Sequence, residues 1–419
     1  MRPYTYIHRK GSSKLRKLFQ AFPCVGITGA RQVGKSTLIE YLFPDIPCFV
    51  FDPVHDIHNV RQDPELFLNN NPPPLILDEV QNVPELFPVL KRRIDANKKR
   101  PGQYILTGSQ QWGAMREIAE SMAGRCILMH LDSFSIGELV DPQPKGNWLE
   151  AWLEDPESFF IKKPDRLRLP HSLYETLWRG FMPEVQRLDL EFVSDFHYSY
   201  QSTYIEKDIR QIEEIQNVQQ FSRFVRLLGA LTAQEVNYSE IGREIGITPQ
   251  TAKRWLNLLS LTFEWREIPA YSNNLTKKVS LKPKGYFTDT GQVCFVQMIS
   301  SPNALSGHPL YGALFETACV NEIAKLAKLI PTPPQLYHWR LHSGSECDLI
   351  LERDGKLYPI EIKSKTRPNR KDARGIEAFR GAHTDQKVQK GLILAPAEEA
   401  YFVTENTLVI PWDSGWGRT

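Results

Sequence analysis

Residues 24–43, CVGITGARQVGKSTLIEYLF, constrain the fold of this chain more than any other stretch. Gly29, four residues, Gly34, Lys35 and Ser36 satisfy the pattern GxxxxGK[ST]. An apolar, β-type run (Cys24–Thr28) comes before it, and a helical pattern through Leu38, Ile39, Tyr41 and Leu42 follows. Strand, tight loop, helix is the context that gives the motif physical meaning. Glycine at 29 and 34 lets the backbone curl, so that the loop Gly29-Ala30-Arg31-Gln32-Val33-Gly34 can turn its N–H groups toward phosphates. Lys35 is expected to reach the β- and γ-phosphates and Ser36 to hold Mg²⁺. Thr37 completes the nucleotide-binding set at a helix N-terminus whose dipole favours anions.

A second element supports the first. Leu75, Ile76 and Leu77 predict a short strand ending in Asp78-Glu79. Asp78 is expected to hold Mg²⁺ through water and Glu79 to polarise an attacking water. In the chain between the two lies another apparent strand, Cys48–Phe51. That order, with Glu next to Asp, suits the hydrolytic branch of ATP-binding P-loop proteins. Tyr104–Leu106 runs into Thr107-Gly108-Ser109-Gln110, a polar strand end at which Ser109 can sense the γ-phosphate. Cys126–Leu131 is the expected fifth strand. Arg125 before it reads either as a trans-acting arginine or as an ordinary salt-bridge partner. The helix expected over Pro84–Asn97 has Leu86, Leu90 and Ile94 for burial, while Lys91-Arg92-Arg93 and Lys98-Lys99-Arg100 form a solvated basic face or a DNA or partner surface.

Composition narrows the remaining classes. Lys plus Arg total 51 against 49 acids, so the formal net charge is +2 and nucleic-acid binding must come from local patches. With 41% hydrophobic and 11% aromatic residues, disorder is excluded as the dominant state. A length of 419 residues suggests about three domains. No apolar run approaches a bilayer span, and the basic start has no apolar signal core behind it. The six cysteines form no CxxC pair, and most lie in apolar runs such as FPCVGI and PCFVF, which points to buried, reduced thiols. A cytoplasmic protein without a membrane partner is expected.

Residues 141–171 are rich in Pro and Asp, carry exposed-looking Trp, and read as a connector or insertion. Helical patterns resume near Ser172, and Phe221, Phe224, Val225 and Leu228 have clear helical spacing. A first short helix, Ser239–Ile245, is followed by a turn at Gly246-Ile247 and a second helix starting at a Thr248 cap with Pro249 at its first position. Trp255, Leu258 and Leu259 are expected to pack inward. The alternating run Phe263, Trp265, Ile268, the loop Asn273–Lys278 and a strand at Gly285–Thr288 then complete a winged helix-turn-helix. Gln250, Lys253 and Arg254 are expected to face a DNA major groove, with Lys277, Lys278, Lys282 and Lys284 near phosphates. The alternative is a winged helix used only for packing between domains.

The C-terminal part carries its own constellation. Glu316 sits near the start of a long helical pattern through Ala327. Leu336–Arg340 and Ser345–Leu351 follow, and a turn at Asp354-Gly355 leads into Lys356–Lys363. Asp348, twelve residues, then Glu361-x-Lys363 has the spacing of the PD-(D/E)xK nuclease core. Strand alternation puts Glu361 and Lys363 on one face, with Asp348 on the adjacent strand. Asp348 and Glu361 can hold a divalent metal, Glu316 can add a ligand or water contact, and Lys363 can orient the attacking hydroxide. An amphipathic surface hairpin with chance charges is the competing reading. The stretch Lys363–Arg374, KSKTRPNRKDAR, is a basic patch that suits DNA.

With these residues in view, the chain resembles along nearly its whole length the AAA-type P-loop ATPases (AAA_14-like) that carry a C-terminal domain of unknown function 4143. The landmarks are TGARQVGKST (28–37), ILDEVQ (76–81), LTGSQ (106–110), SMAGR (121–125), RGFMPE (179–184), YIEKDI (204–209), YFTDTG (286–291), LFE (314–316) and IEIKS (360–364). Cys347 departs from the pattern, which usually has valine there. The resemblance implies an α/β chain: an ASCE-type ATPase with a parallel sheet, a helical and winged-helix middle, and a restriction-endonuclease-like α/β end. The expected segments are 1–140 (ATPase), 141–215 (connector and helices), 216–292 (winged helix) and 293–419 (nuclease-like). ATP and Mg²⁺ are the expected cofactors and DNA the expected partner, with room for a homo-oligomer. The expected function is ATP hydrolysis coupled to DNA and to a metal-dependent nuclease-like domain. The rival is a nucleotide-dependent signalling switch with protein partners and an inert nuclease fold.

Overall fold

Short strands alternating with helices, the central three of them buried on both faces, dominate the first third of the chain. The computed structural model describes residues 6–51, 57–109, 122–140, 143–203, 217–272, 281–341 and 344–417. They fall into two compact units, residues 1–133 with 259–263, and residues 134–258 with 264–419. Gln110, Ser121, the 204–209 segment, Lys277 and Lys278 lie outside the described residues.

The first unit holds a five-stranded sheet: β1 (Cys24–Thr28), β2 (Cys48–Val50), β3 (Leu75–Asp78), β4 (Tyr104–Gly108) and β5 (Cys126–His130). All neighbours are parallel, in the order β2-β3-β4-β1-β5. The strand beside Cys48 lies between the P-loop strand and the acidic strand only in sequence; in space that place belongs to β4, and β2 is an edge. This is also why Cys48 is exposed although its sequence neighbours suggest burial. Leu75, Leu77 and Leu106 face Leu86, Phe87, Leu90 and Ile94 of the Leu86–Ala96 helix. Val25, Ile27, Ile76 and Ile105 face Leu38, Ile39 and Leu42 on the other side. Both faces of the sheet are covered, as parallel strands with continuous apolar runs require.

In the second unit, residues 141–171, expected to be a connector or insertion with exposed tryptophans, contain the helices Trp148–Glu154 and Pro156–Lys162, and the tryptophan expectation is corrected: Trp148 and Trp152 are buried. One Asp-Pro pair there starts a helix: Asp155 caps it by accepting from the Ser158 N–H, and Pro156 takes the first helical position, where no N–H is needed. The Trp152 ring meets Tyr358 edge-on at 5.3 Å, and the Tyr358 hydroxyl donates to the Leu153 carbonyl at 3.0 Å. A short strand, β6 (Asp165–Arg166), pairs with the C-terminal Ser414–Gly415 strand.

Farther on, the Val218–Ala230 helix, β7 (Gln234–Glu235), and the helices Tyr238–Ile245 and Pro249–Leu261 lead into β8 (Trp265–Ile268) and β9 (Lys284–Phe287). The three strands form an antiparallel sheet ordered β7-β9-β8. Beyond it lies the long Tyr311–Leu329 helix, then β10 (Gln335–Arg340), β11 (Glu346–Arg353) and β12 (Lys356–Ile362). The Arg374–Ala382 helix, β13 (Lys387–Val388), β14 (Gly391–Ala395), β15 (Tyr401–Thr404) and β16 (Thr407–Pro411) complete the unit. The sheet order is β10-β11-β12-β14-β16-β15, antiparallel from β10 to β12 and parallel from β12 through β14 to β16. Asp354 and Gly355 both have positive φ (53° and 70°), the geometry of a tight hairpin turn.

The Tyr311–Leu329 helix is buried on nearly every side, so its polar groups need internal partners. Asn321 donates to the Phe287 carbonyl at 2.7 Å, Glu322 accepts from the Ile136 N–H at 2.9 Å, and Lys325 donates to the Phe134 carbonyl at 2.7 Å. Among the described residues no helix is long and apolar enough to cross a membrane.

Trp152→Ala removes a fully buried indole and is expected to destabilise the second unit by ~3–5 kcal/mol, read from denaturant unfolding. A loss below about 1 kcal/mol would mean that the 148–162 helices are only peripheral to that core.

Candidate nucleotide site and a second polar cluster

The loop after β1 takes its shape from its glycines. Gly34 has φ 88°, a left-handed conformation that side chains resist. A Cβ on Gly29 would stand 2.1 Å from the Leu131 carbonyl oxygen, so only glycine fits that close approach. Ala30 and Val33 turn into the core beside β1 and β5. Arg9, distant in sequence and buried, clamps the loop: its guanidinium donates to the Val33 carbonyl at 2.7 Å and to the Asp132 carbonyl at 2.5 Å. Gln32 is exposed at the loop tip with φ 57°, and Arg31 and Thr37 are partly buried.

Lys35 opens the Lys35–Leu42 helix and is 5% exposed. Its Nζ donates to the carbonyls of Gly29 (3.1 Å) and Ala30 (2.9 Å) and stands 4.0 Å from Glu79 Oε1. Ser36 Oγ donates to Asp78 Oδ2 at 2.7 Å, which brings the last residue of β3 against the first turn of the helix. The hydroxyl of Thr107, wholly buried on β4, donates to the other Asp78 oxygen and accepts from the Glu79 N–H at 2.9 Å. Glu79 is held at φ 55°, a conformation costly for a side-chain residue. The Gln81 amide donates to the Glu79 carboxylate and, at 3.3 Å, to Ser109 Oγ. Ser109 is therefore coupled to Glu79 through Gln81.

The structure thus brings Lys35, Ser36, Asp78, Glu79 and Ser109 together. Thr107 and Gln81 join them; the sequence named Thr107 only as part of the polar strand end expected to sense the γ-phosphate, and Gln81 only as the last letter of ILDEVQ. Their signal was present: a threonine at the end of the strand beside the acidic one, and a glutamine two residues after Glu79. Arg125 stands apart from these groups in a two-pronged ion pair with Asp95, both contacts at 2.8 Å. As for a cation, a hydroxyl and a carboxylate converging at 2.7 Å form a hard-oxygen pair that suits Mg²⁺, which commonly takes one or two protein ligands and completes its shell with phosphate and water.

A second polar cluster lies in the second unit. Leu349 pairs with Ile360, which sets Asp348 beside Glu361 on the neighbouring strand. The Ile362 N–H donates to Asp348 Oδ2 at 2.8 Å. Lys363 Nζ stands 2.6 Å from Glu361 Oε2 and 3.5 Å from Asp348 Oδ2. Glu316 joins from the Tyr311–Leu329 helix. The four residues expected to converge do so, and both Asp348 and Glu361 are buried, unlike a surface hairpin with chance charges. Two unexpected groups come from β9. Lys284 Nζ lies 2.5 Å from Glu316 Oε1 and 3.7 Å from Asp348 Oδ1, and the Tyr286 hydroxyl donates to Glu316 at 2.8 Å. The expectation that Lys284 lies near DNA phosphates is corrected: its ammonium faces inward because Gly285 and β9 alternation turn Lys284 and Tyr286 toward the same carboxylate.

Burial, then the charge of Asp348, raises the Glu316 carboxyl to about 7 against the pull of Lys284. Burial and the Asp348 charge also hold the Glu361 carboxyl well above the usual range. Burial acts the same way on Asp348, but Lys284 and Lys363 outweigh it and keep its carboxyl below the ordinary value. Both ammonium groups stay charged, since their carboxylate partners overcome the cost of burial. Among the described residues no group of three or more His, Cys, Asp or Glu side chains is set to hold a metal ion.

The Tyr238–Ile245 helix ends at Gly246 (φ 77°), and the Thr248 hydroxyl accepts from the Thr251 N–H at 3.1 Å to start the next helix. Ala252, Trp255, Leu256 and Leu258 are buried, while Gln250, Lys253, Arg254 and Lys282 are exposed.

Three family models match parts of this chain. The family model of an AAA domain (AAA_14) matches residues 21–140. Residues 21–140 form an AAA-type P-loop ATPase domain. Two domains of unknown function match farther along the chain: DUF8612 over residues 170–303 and DUF4143 over residues 311–414. Uncharacterised proteins of Mycobacterium tuberculosis and Mycobacterium bovis are each 26% identical over 406 residues, covering 97% of this chain and 83% of theirs. Among solved structures, a Walker-type ATPase of Pyrococcus abyssi is 14% identical, with a TM-score of 0.42 over 70% of this chain and 96% of its own. The ORC1 protein of Aeropyrum pernix, solved in complex with DNA, is 12% identical, with a TM-score of 0.28 over 74% of this chain and 95% of its own.

Lys35→Ala in the ATPase domain is expected to weaken nucleotide binding by roughly 100-fold or more, measured with a fluorescent ATP analogue. Unchanged affinity would remove the loop after β1 from nucleotide recognition.

Proposed function

We propose that this chain binds and hydrolyses ATP with Mg²⁺ at the P-loop, and that the turnover cycle is coupled to DNA. The observation that carries the first part is the convergence of Ser36, Asp78, Glu79 and Lys35 at one end of the parallel sheet. Ser36 and Asp78 are the groups that would hold Mg²⁺, which neutralises charge on the phosphates when bound. Lys35 leaves its loop carbonyls for the phosphates and stabilises charge on the transferred phosphoryl group. Glu79 orients a water and draws on its proton, and the Gln81 amide fixes the direction of its carboxylate. Ser109, hydrogen-bonded to Gln81, is suited to report the γ-phosphate to Glu79.

The DNA part rests on different support. The order helix, strand, two helices, two strands over 218–287 is that of a winged helix, and Gln250, Lys253 and Arg254 stand exposed on its second turn-flanking helix. On this reading the four segments ending at 140, 215, 292 and 419 act as ATPase, connector, DNA reader and nuclease-like module in a cytoplasmic protein. For that last module, an observation favours the rival in which the nuclease-like fold is inert: each of its three carboxyl groups faces a lysine ammonium.

Steady-state ATP turnover tests the proposal. Glu79→Gln is expected to keep ATP bound while lowering kcat by about 100-fold or more. DNA is expected to stimulate the wild type, and the paired Lys253→Ala, Arg254→Ala variant to lose that stimulation with basal turnover intact. Normal turnover in Glu79→Gln would remove Glu79 from the mechanism. Turnover indifferent to DNA would favour a nucleotide switch that answers to protein partners.

A further inference from the structure

The fold that places Glu316, Asp348, Glu361 and Lys363 together is one in which a divalent cation would be sought between the carboxylates. The groups present do not fit that cation. Glu316 takes its closest cationic contact from Lys284 at 2.5 Å and a hydroxyl from Tyr286 at 2.8 Å on the same oxygen. Asp348 is spanned by Lys284 on Oδ1 and by Lys363 and the Ile362 N–H on Oδ2. Glu361 is closed by Lys363 at 2.6 Å. Among the described residues no group of three or more His, Cys, Asp or Glu side chains is arranged to hold a metal here.

We infer that Lys284 is a built-in counter-cation: its ammonium stands between Glu316 and Asp348 and excludes a divalent metal from the cluster. The geometry behind this is specific. Lys284 reaches the cluster from β9, an element outside the β10–β12 hairpin array that carries Asp348 and Glu361, and its side chain is only 13% exposed. Tyr286, two residues on and on the same strand face, fixes the Glu316 carboxyl so that its oxygen points at the ammonium. A buried ammonium and two carboxylates satisfy one another without an ion from solution, and separating them would leave uncompensated charge. Access is not the barrier. A cavity of about 330 Å³, lined by Glu235, Lys284, Glu316, His338, Arg340 and Asp348, leads to the same oxygens. Lysine, and no lack of an entry path, therefore decides whether a metal binds. Lys284→Met keeps an apolar stem of similar length and removes only the charge, so it should turn the same oxygens into a metal site.

The test is Mn²⁺ titration of the full-length, nucleotide-free protein, with free Mn²⁺ read by electron paramagnetic resonance. In the wild type, binding is expected to be the same as in Glu316→Gln, because the cluster takes no metal. Lys284→Met is expected to gain one site, at least 10-fold tighter than any in the wild type, and the Lys284→Met, Glu316→Gln double variant to lose it. A wild-type site that disappears in Glu316→Gln overturns the inference, and so does a cooperatively folded Lys284→Met protein that binds no more Mn²⁺ than the wild type. Should Lys284→Met fail to fold, the wild-type comparison with Glu316→Gln decides alone. None of these readouts depends on ATP turnover, so failure here and failure of the ATPase reading are distinguishable.

Discussion

A carboxylate withdrawn from water must be met by donors that tolerate its charge or by a cation that cancels it, and both polar centres of this chain are built around that requirement. Asp78, 4% exposed at the end of β3, is met by the hydroxyls of Ser36 and Thr107. Hydroxyls satisfy its lone pairs without placing a cation against it, which suits the magnesium–nucleotide complex proposed as its partner. Asp348, 6% exposed on β11, is met by two lysine ammonium groups that cancel its charge within the fold. One carboxylate stays electrostatically open to a ligand, and the other is closed.

This contrast separates the two centres as chemistry. Around Asp78 the sheet order matters, because β4 between β1 and β3 puts Thr107 beside Asp78 and Ser109 within reach of Gln81. Glu79 is then carried in a left-handed conformation just past the strand end, its direction set by Gln81 and its distance from Lys35 set at 4.0 Å. Around Asp348 the controlling element is β9, whose Lys284 and Tyr286 turn a carboxylate array typical of metal chemistry into a network of ion pairs and hydrogen bonds. The Tyr311–Leu329 helix presents Glu316 to that network while Asn321, Glu322 and Lys325 tie the same helix to backbone groups elsewhere in the unit.

Much of this was legible in the sequence because it is local. The P-loop, the acidic strand end and the Asp348/Glu361/Lys363 spacing each depend on strand alternation or a glycine turn within a few residues. What was not legible is held across long separations. Arg9 clamps the P-loop from 24 residues away, and Lys284 reaches Glu316 across 32. The landmarks RGFMPE and YFTDTG could be recognised as letters with no role attached. In the structure Asp289 accepts from the Phe181 and Gly291 N–H groups, the Arg179 guanidinium donates to the Val185 and Leu188 carbonyls, and His197 links the Arg179 carbonyl to Gln292. They are a buried polar knot, and nothing in a linear pattern shows that its ends meet. The 148–162 helices were missed for the opposite reason: Asp-Pro reads as loop punctuation, yet it is also how a helix starts.

The proposed ATP chemistry depends most heavily on Asp78 serving a magnesium–nucleotide complex. The direct measurement is the affinity of a fluorescent ATP analogue for the wild type and Asp78→Asn, each in excess Mg²⁺ and in excess chelator. The wild type is expected to bind at least 10-fold tighter with Mg²⁺, and Asp78→Asn to bind equally in both conditions. A Mg²⁺ dependence that survives in Asp78→Asn would contradict the assignment.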